Sequence, residues 1–452
     1  MSNNDRGAFG SRLAGVLVTA GSAVGLGNVW RFPYELGRNG GAAFLIIYIL
    51  CILLFGLPLM VSEFAVGRHA QSNTARAFGM MGGSRHWKVI GMLGVLTGTL
   101  ILCYYGVAAG WTVEYLLRAG VNGFAGDNRD FTAEFTQFAS DPVRPVVCMV
   151  VFMLVNLGVI LAGVKGGIER GSKLMMPLLF VFIVVLAVLT VMQPGAGRGV
   201  EFLFKPDFSK VTPSTLLSAM GQSFFSLSLS MGCLCTYASY FRKEDKLVTN
   251  AVNVASIDTL IAIMAALIIF PAAFSVNIEP GAGPSLVFIT LPNVFQQLFA
   301  ARPVLGYCFA LLFYLLLVLA ALTSAMGLLE VPTIYLKEEF HIRRRWSAIG
   351  CTIFCITVGV ACSLSMGVWS EHTLFGLNIF DLFDFVTAKI MLPVGGFLIA
   401  IYTGWICDDK LLRDEVTNHG TVAVGIYGMY RFLVRYVAPV AILAIFVNEL
   451  VK

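Results

Sequence analysis

Thr19-Ala-Gly-Ser-Ala-Val-Gly-Leu-Gly-Asn-Val-Trp-Arg-Phe-Pro33 is the stretch whose reading decides the fold. It sits in an apolar run over about residues 13–37, long enough to cross a bilayer as a helix. Yet Gly21, Gly25 and Gly27 fall within seven residues of one another, and Asn28, Arg31 and Pro33 follow at once. Each glycine costs a helix interior about 1 kcal/mol against alanine. Backbone that leaves the helix at membrane depth persists only where protein buries it or where it lines a cavity. The first span therefore reads as a helix interrupted at a site.

A second interruption lies further along. Ser223-Phe-Phe-Ser-Leu-Ser-Leu-Ser-Met-Gly232 places four serines around the middle of the sixth span. Paired breaks at equivalent places in two halves point to an inverted-repeat transporter and to its site. A half-helix N-terminus carries partial positive charge and free N–H groups, which suit a carboxylate. Freed carbonyls, with Asn and Ser oxygens, suit a hard cation such as Na⁺. The chemistry implied is a zwitterionic or anionic solute bound with sodium.

The composition agrees. Of 452 residues, 58% are hydrophobic and only 13% are charged. Soluble domains carry about 25% charged residues, so a soluble enzyme, a disordered chain and a nucleic-acid module are all excluded. The net charge of +5 comes from Lys and Arg spread along loops and makes no nucleic-acid face. Five stretches reach spanning length without a charge: Val89–Val113, Pro145–Val164, Leu174–Met192, Leu305–Leu329 and Trp346–Trp369. Six more, at about 13–37, 42–67, 214–240, 248–275, 374–406 and 432–450, carry one or a few ionisable residues. The expectation is an all-α polytopic membrane protein of eleven helices. It divides into a cytoplasmic segment 1–12, a five-helix half 13–193, a second half 213–406 and an eleventh helix 432–450. Twenty of the 31 Lys and Arg residues fall on one side if the N-terminus is cytoplasmic, which predicts that orientation and an outside C-terminus in the cell membrane. Met1–Ser11 is polar and holds Asp5, so no cleaved signal is expected. Nine of ten Cys lie in predicted spans and read as reduced thiols.

At these residues the sequence resembles the neurotransmitter:sodium symporter family, in particular its prokaryotic amino-acid transporters with the leucine-transporter fold. Gly21–Pro33 with Asn39-Gly-Gly41 matches the first-helix signature. Gly56-Leu-Pro-Leu-Met60 with Glu63, Thr236-Tyr-Ala-Ser-Tyr240 and Leu322-Thr-Ser324 follow in order. The resemblance implies two five-helix repeats with discontinuous helices 1 and 6, plus one extra helix, and sodium-coupled import of an amino acid by alternating access. It implies one sodium at Ala23, Asn28, Ser226 and Asp258, with Asn253 as the alternative to Asp258. It implies a second at Gly21, Val24, Ala320, Thr323 and Ser324. Substrate contacts would be Ser22, Gly25, Tyr105, Phe225, Ser226, Ser228, Met231, Ser324 and Leu328. Amine-carrying relatives place an acid at the Gly25 position, so Gly25 tilts the substrate toward an amino acid, apolar or aromatic. The outer gate would pair Arg31 with Asp384 beside Gln222. The inner gate would pair Arg6 with Glu338 (or Glu339) and set Phe9 over Tyr240. Asp258 supplies a fixed negative charge beside the first sodium, which implies independence from chloride.

Other readings remain open at this stage. An intramembrane enzyme needs titrating or metal-binding groups at depth, and all five His fall in predicted loops. A solute-gated channel needs a selectivity filter, and no ring-forming one is seen. A proton-coupled carrier of the same fold is the nearest rival. Neutral ligands such as Asn28, Thr323 and Ser324 favour Na⁺ over a proton.

Overall fold

The computed structural model describes residues 9–82, 84–124, 126, 129–276, 286–298, 302–421 and 424–451. Ser11 starts the first helix, its hydroxyl accepting from Ala14 N at 3.2 Å. That helix, α1 (Arg12–Ala23), stops where Val24 turns extended at ψ 107°. The chain resumes as α2 (Gly27–Arg38), bent 53° from α1. There follow α3 (Ala42–Ala70), α4 (Arg85–Gly120), α5 (Arg144–Leu161) and α6 (Val164–Val191). The sixth span is two pieces, α7 (Pro213–Ser226) and α8 (Cys233–Ala238). The rest are α9 (Leu247–Ser275), α10 (Pro303–Glu339), α11 (Arg344–Leu364), α12 (Ile379–Ile406) and α13 (424–451).

Among the described residues nine helices are long and apolar enough to cross a membrane, and the bent α1–α2 pair makes ten. α7 and α8, of 14 and 6 residues, are each too short to span and together complete the eleven segments expected. Both breaks fall where the Gly and Ser runs place them. In the second, Ser228, Ser230 and Gly232 are all at positive φ (53°, 65° and 78°). Non-glycine residues in that region cost of order 1–3 kcal/mol each and persist only where surroundings over-determine them. Here Glu63 of α3 accepts from Ser230 N at 2.7 Å, and Thr74 Oγ1 donates to Gly232 O at 3.1 Å.

Two boundaries differ from the sequence expectation. The tenth span opens at Ile379 rather than 374, because Leu374 and Leu377 exchange backbone hydrogen bonds of 2.9 and 3.0 Å across a tight turn. The eleventh opens at 424 rather than 432. The charge that marked its edge, Arg431, is held inside by Asp409 at 3.1 Å and by Thr403 O. All ten cysteines are free; nine are buried and Cys308 is exposed.

Helices α4 and α5 meet at Gly110, where a Cβ would stand 2.6 Å from Met149 N. Gly110→Val should therefore wedge the pair apart and destabilise by about 1–3 kcal/mol. Gly158→Ala, on a face of α5 with nothing within 4 Å, should leave stability unchanged or higher. Thermal unfolding of the two variants in detergent checks this.

Candidate functional site

Asn28 pins the first break from both sides. Its Oδ1 accepts from Gly25 N at 3.0 Å, and its own N donates to Gly25 O at 3.1 Å. Its Nδ2 then reaches Ser226 Oγ at the end of α7 (3.2 Å) and Asp258 Oδ1 on α9 (2.7 Å). Ser226 Oγ donates to the other carboxylate oxygen at 2.8 Å, and Tyr48 OH does so at 3.4 Å. Asn28, Ser226 and Asp258 are essentially fully buried. Asn253, the alternative on the same helix, is exposed. The partners of Asp258 are neutral donors, and among the described residues no cationic side chain pairs with it. A buried carboxylate without a counter-charge is strongly disfavoured. The donor set is all oxygen and amide, with no thiol or imidazole, and so fits a hard alkali cation.

A second oxygen cluster lies on the other side of α1. Thr323 Oγ1 on α10 sits 3.2 Å from Val24 O and 3.0 Å from Ala320 O. Gly21 packs against it, a Cβ there being 3.4 Å from Thr323 Cβ. Ser324 departs from the expected grouping: its hydroxyl donates to Ser22 O at 3.1 Å, where Ser228 Oγ also donates at 3.0 Å. Its place on the helix, one residue past Thr323, turns it toward the candidate solute pocket at Gly25. Ala23 closes α1 at the break.

Gly25 faces that pocket. A Cβ on it would meet Ser324 Cβ at 2.9 Å and Tyr105 OH at 3.1 Å. Tyr105 OH is within 3.4 Å of both Leu26 N and Ala321 O. Met231 O and the Leu328 side chain converge on Gly98 of α4, which has no side chain to keep them apart. Ser226 Oγ is engaged in the Asp258 cluster. Sequence reasoning missed Leu26, Tyr48 and Gly98. The first acts through its backbone and the third through an absent side chain, so neither carries a side-chain signal.

The pocket opens at the Arg31 end. A cavity of about 320 Å³ is lined by Tyr105, Phe225, Trp30, Tyr104, Arg31 and Asp384, among others. The expected outer ion pair is not made: Arg31 and Asp384 face one another across the cavity, and the Arg31 guanidinium lies 4.5 Å from the Phe225 ring centroid. The open cleft separates α2 from α12 and leaves the cation on the aromatic face, a favourable resting place. Gln222 Nε2 donates to Gly27 O at 3.2 Å beside it.

The opposite end is shut. Phe9, 2% exposed, packs edge-on to Tyr240 with centroids 5.7 Å apart, and its N donates to Tyr240 O at 3.2 Å. Arg242 holds Phe9 O and Gly10 O at 3.2 and 2.8 Å, and Gly10 N donates to Glu169 at 2.9 Å. Arg6 lies outside the described residues. Glu338 accepts from Asn73 N at 2.7 Å, and Glu339 pairs with Arg76 at 2.5 Å. Beneath Tyr240 lies a pair the sequence did not reveal. Glu330, fully buried, takes Tyr240 OH at 2.8 Å and Arg344 at 2.6 and 2.8 Å.

Comparison with known proteins now decides the class. The family model of the sodium:neurotransmitter symporters matches residues 6–125 and 135–452. The chain belongs to the sodium:neurotransmitter symporter family. It is 35% identical over 99% of both chains to an uncharacterized sodium-dependent transporter of Haemophilus influenzae. It is 34% identical to another of Bacillus subtilis, covering 99% of this chain and 98% of that one. The crystal structure of MhsT in complex with L-phenylalanine matches with a TM-score of 0.90 at 41% identity, covering 98% of this chain and all of that one. The symporter thus has the leucine-transporter fold. It is a multi-pass membrane protein that carries a small molecule with sodium, and it is not an enzyme.

Glu330→Ala should strand Arg344 and the Tyr240 hydroxyl in the closed inner end and destabilise the symporter by about 3–5 kcal/mol. The double variant Glu330→Met with Arg344→Met should recover most of that loss. Detergent unfolding curves of wild type, single and double variants check both statements.

Proposed function

We propose that this symporter imports an amino acid, apolar or aromatic, together with two sodium ions, and does so without chloride. The observation that carries the reading is the Asp258 carboxylate, buried between both breaks and bonded only to neutral donors. A sodium ion among Asn28, Ser226 and Asp258 supplies the missing positive charge. In relatives that use chloride, the anion provides the negative charge that Asp258 carries here as a fixed group.

The solute's carboxylate would lie near Leu26 N and Tyr105 OH, where Gly25 leaves room and no acid competes. That the similar MhsT crystallises with L-phenylalanine supports an amino acid as cargo. Phe225, Met231 and Leu328 give an apolar surface for its side chain. Ser230, held at positive φ where the leucine transporter has glycine, narrows that surface. The Thr323 cluster with Val24 O, Ala320 O and the neighbouring Gly21 carbonyl would take the second ion.

Transport follows from the asymmetry of the two ends. The outward-open cavity admits solute and sodium. Approach of Arg31 to Asp384 then covers them, and release requires Phe9 and Arg242 to leave Tyr240 on the other side. The halves 13–193 and 213–406 would move about the central site. We place the protein in the cell membrane with the N-terminus cytoplasmic and the C-terminus outside. Gly163 at φ 85° and the irregular turns through Gly167, ahead of Pro177, give α6 a weak inner end for the second ion's exit.

Uptake into proteoliposomes tests the reading. A screen of the twenty amino acids should find a labelled apolar or aromatic one taken up in sodium, and uptake should fall to background in choline at constant pH. Replacing chloride by gluconate should leave it unchanged in wild type, while Asp258→Asn should make it chloride-dependent. Uptake that persists in choline, or a wild type that needs chloride, would contradict the proposal.

A further inference from the structure

A second cavity lies apart from the proposed solute site. It is a groove of about 680 Å³ on the lipid-facing side, between α4, α10 and α11. Its walls are apolar: Met92, Leu96, Pro332, Leu336 and Phe354, with Gly350 at its floor. The volume lies within the range of about 300–1,000 Å³ of ligand pockets. Along α4 it runs from Val89 to Thr99, about 15 Å at the rise of a helix. That is half of a hydrocarbon core about 30 Å thick, so the groove spans one leaflet. Thr99, at its deep end, turns its hydroxyl away to Val95 O at 2.7 Å, leaving the wall apolar.

The shallow end lies on the same side as Phe9 and Tyr240, and there the surroundings change. Lys88 immediately precedes Val89, Lys337 follows Leu336, and Arg85, Arg343 and Arg345 stand within about two turns of the lining residues. Among the described residues none of these five makes an ion pair. The nearby acids are already engaged, Glu338 with Asn73, Glu339 with Arg76 and Glu330 with Arg344. Trp346, 59% exposed, stands at the same level, where aromatic rings favour the headgroup region. A one-leaflet apolar slot that ends in several cations without ion-pair partners among the described residues is complementary to one kind of molecule. Basic pockets between helices on the cytoplasmic side hold anionic headgroups.

We propose that this groove binds an anionic diacyl phospholipid, with an acyl chain between α4, α10 and α11 and its phosphate among Lys88, Lys337 and Arg345. The site is independent of the solute pocket. Because α10 carries Thr323 and Ser324 as well as Pro332 and Leu336, the lipid would brace the helix that supplies the second oxygen cluster.

Native mass spectrometry of the full chain, delipidated in detergent and titrated with phosphatidylglycerol or phosphatidylcholine of matched chains, tests this. Wild type should retain phosphatidylglycerol at least about tenfold better, since three surface cations each contribute several-fold to anionic-lipid affinity. Lys88→Gln with Lys337→Gln and Arg345→Gln should erase that preference. Gly350→Phe should abolish retention of both lipids, because a side chain there meets no protein atom within 4 Å and enters the slot. Leu96→Trp, a second filling variant, should act likewise, and Gly158→Phe, on another lipid-facing surface, should not. Glycerol phosphate without chains should not compete. Equal retention of the two lipids by wild type, or undiminished retention by both filling variants, overturns the proposal. Circular dichroism and the unfolding midpoint of each variant in detergent report whether it folds.

Discussion

One carboxylate organises the centre of this molecule. Asp258 sits between the two interrupted spans and ties them together through Asn28 from the first and Ser226 from the sixth. Neither break is stable by itself. The first spends three glycines at membrane depth, and the second holds two serines in left-handed backbone. Each is secured by side chains from elements that remain continuous, Glu63 from α3 and Asp258 from α9. The irregular backbone exists because rigid helices hold it, and it supplies oxygens and amides that a regular helix would keep for itself.

Around that centre the two ends are in opposite states. Arg31 and Asp384 stand apart over an open cavity, while Phe9, Tyr240 and the Glu330–Arg344 pair seal the far side. The seal is built from aromatic contact and from charges that cancel one another under cover. The opposite cleft instead has Arg31 and Asp384 both lining its cavity, with Arg31 over the Phe225 ring. The two ends therefore differ in what fills them, aromatic and paired groups at one and an open cavity at the other.

Much of this was legible in the sequence, and what was not has physical causes. The breaks were visible because glycine and serine runs have no other reason to sit in an apolar span. Asn253 and Asp258 could not be separated by composition. Five residues along a helix place them on nearly opposite faces, and only the packing of α9 shows that Asn253 is exposed. Sequence could propose Arg31 and Asp384 as partners but not give their separation, which depends on the cavity that both line. Arg344 stood in a run of three arginines at 343–345, and sequence does not say which of them turns inward to Glu330. Residues that act through backbone, such as Leu26, or through a missing side chain, such as Gly98, leave no pattern to find. The start of α13 was misplaced for a related reason: Arg431 looked like an edge until Asp409 was seen beside it.

The central claim is that a sodium ion completes the Asp258 cluster. It is tested most directly by the unfolding temperature of the purified protein, without solute, in sodium, potassium and choline at equal ionic strength. A ligand that binds only the folded state raises stability in proportion to the logarithm of its concentration above Kd. The account predicts that sodium alone raises the midpoint of wild type, progressively with concentration, and that Asp258→Ala loses this response. An equal midpoint in all three salts, or a sodium response that survives Asp258→Ala unchanged, would contradict it.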